Sequence, residues 1–276
     1  MKQTVASGVD IRPCPNCGSL NRTTKFIEPP FQIVKCGKCT LVYLGNPPDE
    51  GSIYEQYYES SEPDGAKYRA NSDDPFLAEL YAINTQRSAR LAELKSSGSL
   101  LDVGCGRGNF IAVARDYGFD TCGIDIADRA VAYARNQFKL KVDVARLDDL
   151  AQSSSRFDII TLWHVLEHFV DPFKPLQQVR LLLRERGICI IEVPNLNSLK
   201  FRIAQHKWQG GNHPLYHRTF FSADTLRHAL EKAGFSEVNR LRLAYHIPGR
   251  SKIYETCKAA LNVVGMDAFL TFVARR

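Results

Sequence analysis

The sequence predicts an α/β protein, a doubly wound and mostly parallel sheet with a small cysteine-bearing unit ahead of it. Three observations carry this reading. From residue 99 onward, short apolar strand patterns alternate with helical ones. Two C-x-x-C pairs lie close together near the N-terminus. The first strand of the alternating region runs straight into a glycine-rich turn and a helix. A chain of 276 residues, 44% hydrophobic and 24% charged, can build its own core, which excludes wholesale disorder.

Taken in order, three regions emerge. Residues 1–46 are the cysteine unit, with short strands expected at 31–34 and 41–44. Residues 47–98 form a polar, acidic connection rich in tyrosine, ending in a helix over 76–95. Asp73-Asp74-Pro75 starts that helix with an acidic cap and a first-turn proline, and Leu77, Leu80, Ile83, Leu91 and Leu94 follow at helical spacing. Residues 99–276 hold the sheet. Strands are expected at 100–103, 121–126, 142–145, 157–162, 187–193, 237–243 and 268–273. Helices are expected at 109–117, 129–138, 172–184 and 223–233, and a short amphipathic one at 259–264. The run 187–193 is almost wholly apolar, as a strand buried on both faces should be.

Cys14, Cys17, Cys36 and Cys39 read as a four-thiolate zinc ribbon. Each C-x-x-C turn aims two sulfurs at one point, and two such knuckles complete a tetrahedron. Gly18 and Gly37 allow the tight backbone this needs. With four protein ligands no position is left open, so the expected metal is structural. Disulfides suit an intracellular chain poorly, and a redox pair would occur once. Cys105, Cys122, Cys189 and Cys257 are expected to be small core residues.

The chemistry begins at Leu101-Asp102-Val103-Gly104-Cys105-Gly106-Arg107-Gly108. Glycine is required where backbone approaches a ligand closely or takes positive φ. Gly123-Ile124-Asp125-Ile126 ends the next strand, about 20 residues on, where a carboxylate can accept both ribose hydroxyls of a nucleoside. The spacing is G-x-G-x-G and not the dinucleotide G-x-G-x-x-G. Asp102 would repel a pyrophosphate and favour a cation. A nucleoside carrying positive charge fits S-adenosylmethionine.

These motifs, with F-D-I-I-T-L-W-H-V-L-E-H-F-V-D-P at 157–172 and I-E-V-P-N at 191–195, resemble those of the class I S-adenosylmethionine-dependent methyltransferases. The resemblance implies a Rossmann-like sheet of seven strands with the last, 268–273, antiparallel. It places Asp102, Gly104 and Gly106 at the methionine end, Asp125 at the ribose, and Leu147 and Asp148 at the adenine, with Gly108 and Ile126 as further cofactor-binding residues. Trp163 and His164 would face the methyl group. The ribbon, its following tyrosines and the loop N-H-P-L-Y-H-R at 212–218 are similar to bacterial methyltransferases of glycan and natural-product biosynthesis.

Acceptor chemistry falls to a histidine cluster. His164, Glu167 and His168 form H-x-x-E-H, and His213 and His217 lie in the later loop. His164 and His168 are expected one helical turn apart. In one reading His164 or His217 is a general base oriented by Glu167. In another the cluster binds a divalent metal, as E-x-x-E-H resembles the metal site of ubiquinone-pathway O-methyltransferases, with His164 in place of the first Glu. In a third, Glu167-His168 only caps and packs a helix. Trp208, Tyr57 and Tyr58 are candidate substrate walls.

The expected function is O-methylation of a small-molecule, sugar or glycan acceptor. The alternative is an RNA methyltransferase that grips RNA through the ribbon and the basic C-terminal third, since residues 196–276 carry net charge +8 against −2 for the rest. No apolar run is long enough to span a bilayer and no secretory signal is visible, so a cytoplasmic protein is expected.

Overall fold

The computed structural model describes residues 10–48, 74–204 and 216–276. Tyr57, Tyr58, Trp208 and His213 lie outside the described residues.

Two sheets form. The cysteine unit contributes β1 (Arg22–Glu28), β2 (Phe31–Cys36) and β3 (Val42–Leu44), an antiparallel meander. β1 is absent from the expected strands; its polar R-T-T-K sequence hides it, and its pairing with β2 makes it. Then comes α1 (Pro75–Leu94), whose N-cap Asp74 accepts bonds from Phe76 N and Leu77 N.

The large sheet alternates from there: β4 (Ser99–Val103), α2 (Asn109–Asp116), β5 (Asp120–Asp125), α3 (Asp128–Phe138), β6 (Lys141–Val144), α4 (Leu147–Ala151), β7 (Phe157–Trp163), a 3-10 turn (Leu166–His168), α5 (Phe173–Leu182) and β8 (Leu183–Pro194). After these come α6 (Leu199–Ala204), β9 (Thr219–Phe220), α7 (Ala223–Lys232), β10 (Ser236–Leu241), α8 (Lys252–Val263) and β11 (Phe269–Arg275). The strand order is β10-β11-β8-β7-β4-β5-β6. β4 to β8 run parallel, and β11 is antiparallel to both β8 and β10. This is the seven-stranded class I methyltransferase sheet. Its topological switch point falls between β4 and β7, where open α/β sheets bind ligands.

Several boundaries move. β8 begins at Leu183, inside the stretch expected to be helix, and Arg186 (φ 60°) with a register shift opposite Phe157–Ile159 marks a bulge there. The helix near 259–264 is longer than expected and starts at an N-cap, Ser251, whose hydroxyl accepts from Tyr254 N. α4, α6 and β9 are short and carry no periodic signal of their own. Cys105 and Cys189 are buried, but Cys257 is exposed on α8 and is not a core residue.

Side chains alternate across the sheet with period two. Leu101, Val103, Ile160, Leu162, Ile191 and Val193 share one core with Cys14, Val34 and Tyr43 of the cysteine unit. Leu100, Ile159, Ile188 and Ile190 face α1 and α2 through Leu91, Phe110 and Ile111. On that second face a polar row interrupts the apolar one. Asp102 registers with Thr161, Trp163 with Glu192, and Glu192 with Thr271.

The cysteine unit is joined to the large sheet's surroundings. β9 extends the small sheet by pairing with β3, and Leu44 N donates to Arg218 O. Arg12 Nη1 donates to Val170 O, and Lys232 Nζ to Asn16 O.

Candidate active site

The turn between β4 and α2 closes over the end of β5. Gly104, Gly106 and Gly108 all take left-handed φ, of 68°, 52° and 75°. A Cβ on Gly104 would lie 2.6 Å from Val165 Cγ2, and one on Gly108 would lie 2.6 Å from Leu140 Cδ1. The glycines therefore answer both backbone conformation and close packing. Gly104 N and Cys105 N donate to Ile124 O at 2.8 and 3.0 Å. Asp125 accepts from Gly106 N at 2.7 Å through Oδ2 and from Ala127 N at 2.9 Å through Oδ1. Burial pushes its pKa up, with the backbone donors opposing. The carboxylate keeps lone-pair capacity beyond these backbone bonds. Ile126, 43% exposed, offers apolar surface just beyond.

Asp102 is 3% exposed and accepts from Thr161 Oγ1 at 2.6 Å. Burial raises its pKa from 3.8 to about 7, against the opposing effects of Thr161 and Arg87. A buried carboxylate so sparsely hydrogen-bonded is suited to a cation. Leu147 is buried at the start of α4. The Asp148 carboxylate is committed to Lys174, at 2.8 Å, and to Gln178, which hold its pKa down. Trp163 packs edge-on to Phe110 at 5.0 Å and lies under the Arg87 guanidinium at 4.2 Å. Its buried Nε1 has no hydrogen-bond partner among the described residues. A glycine cradle that a Cβ would fill, a carboxylate at each end and an apolar wall fit S-adenosylmethionine.

β7 ends in a sharp reversal. His164 takes φ 58° and is followed by the single 3-10 turn, so His164 and His168 do not sit on one helical face as expected. The left-handed residue breaks the helix register between them. His164 Nδ1 is 3.5 Å from Glu167 Oε1, and Nε2 is 3.3 Å from Glu192 Oε1. Burial opposes its charge, but the two carboxylates outweigh it and raise the pKa to about 9. Both ring nitrogens of His164 face acidic partners, so at neutral pH the ring holds a proton and is not a ready base.

Glu167, His168 and His217 converge. Their ligand atoms all lie within 4.8 Å of one another. Glu167 is 1% exposed, and neither carboxylate oxygen has a well-formed hydrogen bond among the described residues. Burial pushes its pKa up, but His164 and His168 hold it below the ordinary value. His168 Nδ1 is 2.9 Å from Tyr216 O, which fixes that nitrogen as the donor. The His217 ring lies 4.9 Å from that of His168, and its buried Nδ1 is unpartnered among the described residues. Burial lowers its pKa to about 3, so it is neutral at physiological pH. The segment entering β9 delivers His217, since Arg218 N donates to Glu167 O at 2.8 Å.

A further set escapes a reading of the sequence alone. Glu192, wholly buried, accepts from Arg87, Tyr245 and Thr271. An acidic residue in the apolar run I-I-E-V and an arginine in line with Leu80, Asn84 and Leu91 on α1 are the available signals.

In the cysteine unit, Cys14 Sγ to Cys39 Sγ and Cys17 Sγ to Cys36 Sγ are each 3.5 Å, and all four thiols lie within 4.8 Å. Tetrahedral zinc–thiolate bonds of ~2.3 Å set sulfurs about 3.8 Å apart. Lys38 N and Cys39 N point at Cys36 Sγ, at 3.3 and 3.5 Å. The donor set fits zinc.

The fold and cleft define a class I S-adenosylmethionine-dependent methyltransferase scaffold. The chain belongs to the methyltransferase domain family, whose profile matches residues 76–239. It is 31% identical over 166 residues to a ubiquinone biosynthesis O-methyltransferase of Cereibacter sphaeroides, covering 53% of this chain. The match spans 64% of that relative, less than two thirds of its length. Two solved structures share the fold at low identity. An S-adenosylmethionine-dependent methyltransferase from Archaeoglobus fulgidus is 20% identical, with TM-score 0.51 over 70% of this chain and 94% of its own. The plantazolicin methyltransferase BpumL in complex with SAH is 16% identical, with TM-score 0.53 over 82% of this chain and 91% of its own. Among the described residues, no helix is long and apolar enough to cross a membrane.

Proposed function

We propose that the protein transfers a methyl group from S-adenosylmethionine to an oxygen of a small-molecule, sugar or glycan acceptor. The observation that carries the donor half is the left-handed triple-glycine turn bound to Asp125 and flanked by the buried Asp102. The acceptor half rests on the relatives' name and on the histidine–carboxylate cluster that follows β7.

When bound, the cofactor supplies an electrophilic methyl group on a sulfonium. Asp125 takes the ribose hydroxyls, Asp102 attracts the positive end, and Trp163 walls off water. Holding donor and acceptor together in a dry cleft supplies much of the rate in a displacement with so good a leaving group.

On the acceptor side, Glu167, His168 and His217 would hold a divalent transition metal, which polarises an acceptor hydroxyl. What favours this over a histidine base is the chemistry of the three groups. The Glu167 carboxylate is charged, buried and short of hydrogen bonds, His168 has one nitrogen fixed as donor, and His217 stays neutral. His164 would then orient Glu167. Cys14, Cys17, Cys36 and Cys39 would hold a structural zinc that stabilises residues 1–46.

A labelled-methyl transfer assay against sugar nucleotides, small hydroxylated metabolites and total RNA tests the proposal. Transfer to a small acceptor supports it. Transfer to RNA alone, with salt-sensitive binding, makes the basic C-terminal third an RNA grip and overturns the acceptor assignment.

A further inference from the structure

Glu192 stands at the carboxyl end of β8, on the same face as Asp102 and Trp163, and is 0% exposed. Both of its oxygens are engaged. Oε1 faces Arg87 Nη2 and His164 Nε2, the latter at 3.3 Å. Oε2 accepts from Tyr245 Oη and from Thr271 Oγ1 at 2.7 Å. Arg87 in turn bonds Tyr245 Oη at 3.1 Å and Asn84 Oδ1 at 2.9 Å, and its guanidinium covers the Trp163 ring. Four separate elements or loops therefore meet at one carboxylate: α1, β11, the segment after β10 and the end of β7.

The charges make this arrangement more than packing. Arg87 is 7% exposed and permanently charged. Its guanidinium lies over the ring of the tryptophan assigned to the methyl side of the cleft, 4.2 Å from the ring centre. A cation there, left unbalanced, would oppose a sulfonium, and in a poorly solvated site such an effect reaches well beyond contact distance. Glu192 is the acidic partner that Arg87 contacts, whereas Asp102 bonds Thr161 and Glu167 faces His164.

We propose that Glu192 is a positioning residue and counter-ion that makes the cleft electrically compatible with a cationic methyl donor, by neutralising Arg87 over the Trp163 ring and fixing His164. The inference rests on the methyltransferase reading above. Glu192 touches neither cofactor nor acceptor, and it acts by charge on how well the sulfonium form binds relative to the neutral thioether product.

The test is calorimetric. S-adenosylmethionine and S-adenosylhomocysteine are titrated into the wild type, Glu192→Gln, and the double variant Arg87→Gln/Glu192→Gln, with melting temperatures recorded alongside. The glutamine of Glu192→Gln can keep an oxygen toward Arg87 and an amide toward the two hydroxyls, so the fold should survive. Expected is a loss of tenfold or more in S-adenosylmethionine affinity for Glu192→Gln, with S-adenosylhomocysteine changed less than threefold. Removing Arg87 as well should restore the donor-to-product ratio to within threefold of wild type. Equal losses for both ligands, an unchanged ratio, or a double variant worse than the single would overturn the proposal. If Glu192→Gln does not fold, Arg87→Gln alone decides. A donor-to-product ratio above wild type supports the charge argument, and an unchanged or fallen ratio overturns it. A wild type that binds neither ligand would instead sink the methyltransferase reading itself.

Discussion

Replacing Asp102 by asparagine should make the free protein more stable and its hold on the methyl donor weaker. The carboxyl is 3% exposed, it accepts from Thr161, and burial raises its pKa from 3.8 to about 7. The sign follows by linkage. Below the unfolded pKa the acid is neutral in folded and unfolded chains alike. As pH rises, the unfolded chain sheds that proton first, so stability falls until the folded pKa is passed and is flat beyond it. At ~1.4 kcal/mol per pH unit, the full loss by pH 8 is about 4 kcal/mol. The asparagine of Asp102→Asn can still accept from Thr161 and has no proton to lose. Urea unfolding at pH 4, 5.5, 7 and 8 should show the two proteins matched at pH 4 and separating progressively, the variant ahead. Calorimetry at pH 8 should show S-adenosylmethionine binding weakened at least tenfold, and wild-type affinity should rise with pH up to about 7. A stability difference that does not vary with pH, or an unchanged affinity, would refute the role of a buried, cation-seeking carboxyl.

Four further outcomes are expected. Asp125→Ala removes the acceptor of Gly106 N and Ala127 N and should cost about 1–3 kcal/mol of stability, while S-adenosylhomocysteine binding by calorimetry falls at least a hundredfold. Gly108→Ala forces a side chain into a left-handed residue, a cost of about 1–2 kcal/mol, and against Leu140 and Ala134, so its melting temperature should drop with cofactor affinity. Glu167→Gln should abolish metal uptake at the cluster, read by elemental analysis, and slow turnover, with S-adenosylhomocysteine binding within threefold of wild type. Cys36→Ser should release zinc and, because β3 carries β9, speed hydrogen exchange at residues 216–221 while the cofactor site holds its affinity.

The parts that local pattern can announce are legible in the sequence. Buried parallel strands such as Ile188–Val193 are apolar runs interrupted only at Glu192, the paired C-x-x-C turns announce four sulfurs at one point, and the triple glycine has a backbone reason to exist. What stays hidden depends on pairs far apart in sequence. Arg87 and Glu192 are 105 residues apart and meet only because α1 lies over the face that β8 presents. β9 is two residues long and is a strand only because β3 accepts it. The reversal at His164 rests on a left-handed φ that no histidine advertises, and it turns an expected helical pair into a residue held between two carboxylates. Asp148, expected near the adenine from its motif position, has its carboxylate engaged with Lys174 and Gln178, neighbours that sequence spacing does not announce.

The measurement closest to the centre is a crystal structure with S-adenosylhomocysteine soaked in. Its ribose hydroxyls are expected on Asp125 and its methionine end over Gly104–Gly108 beside Asp102. An empty cleft at the β4–β7 switch point, or the ligand seated elsewhere, would contradict this placement.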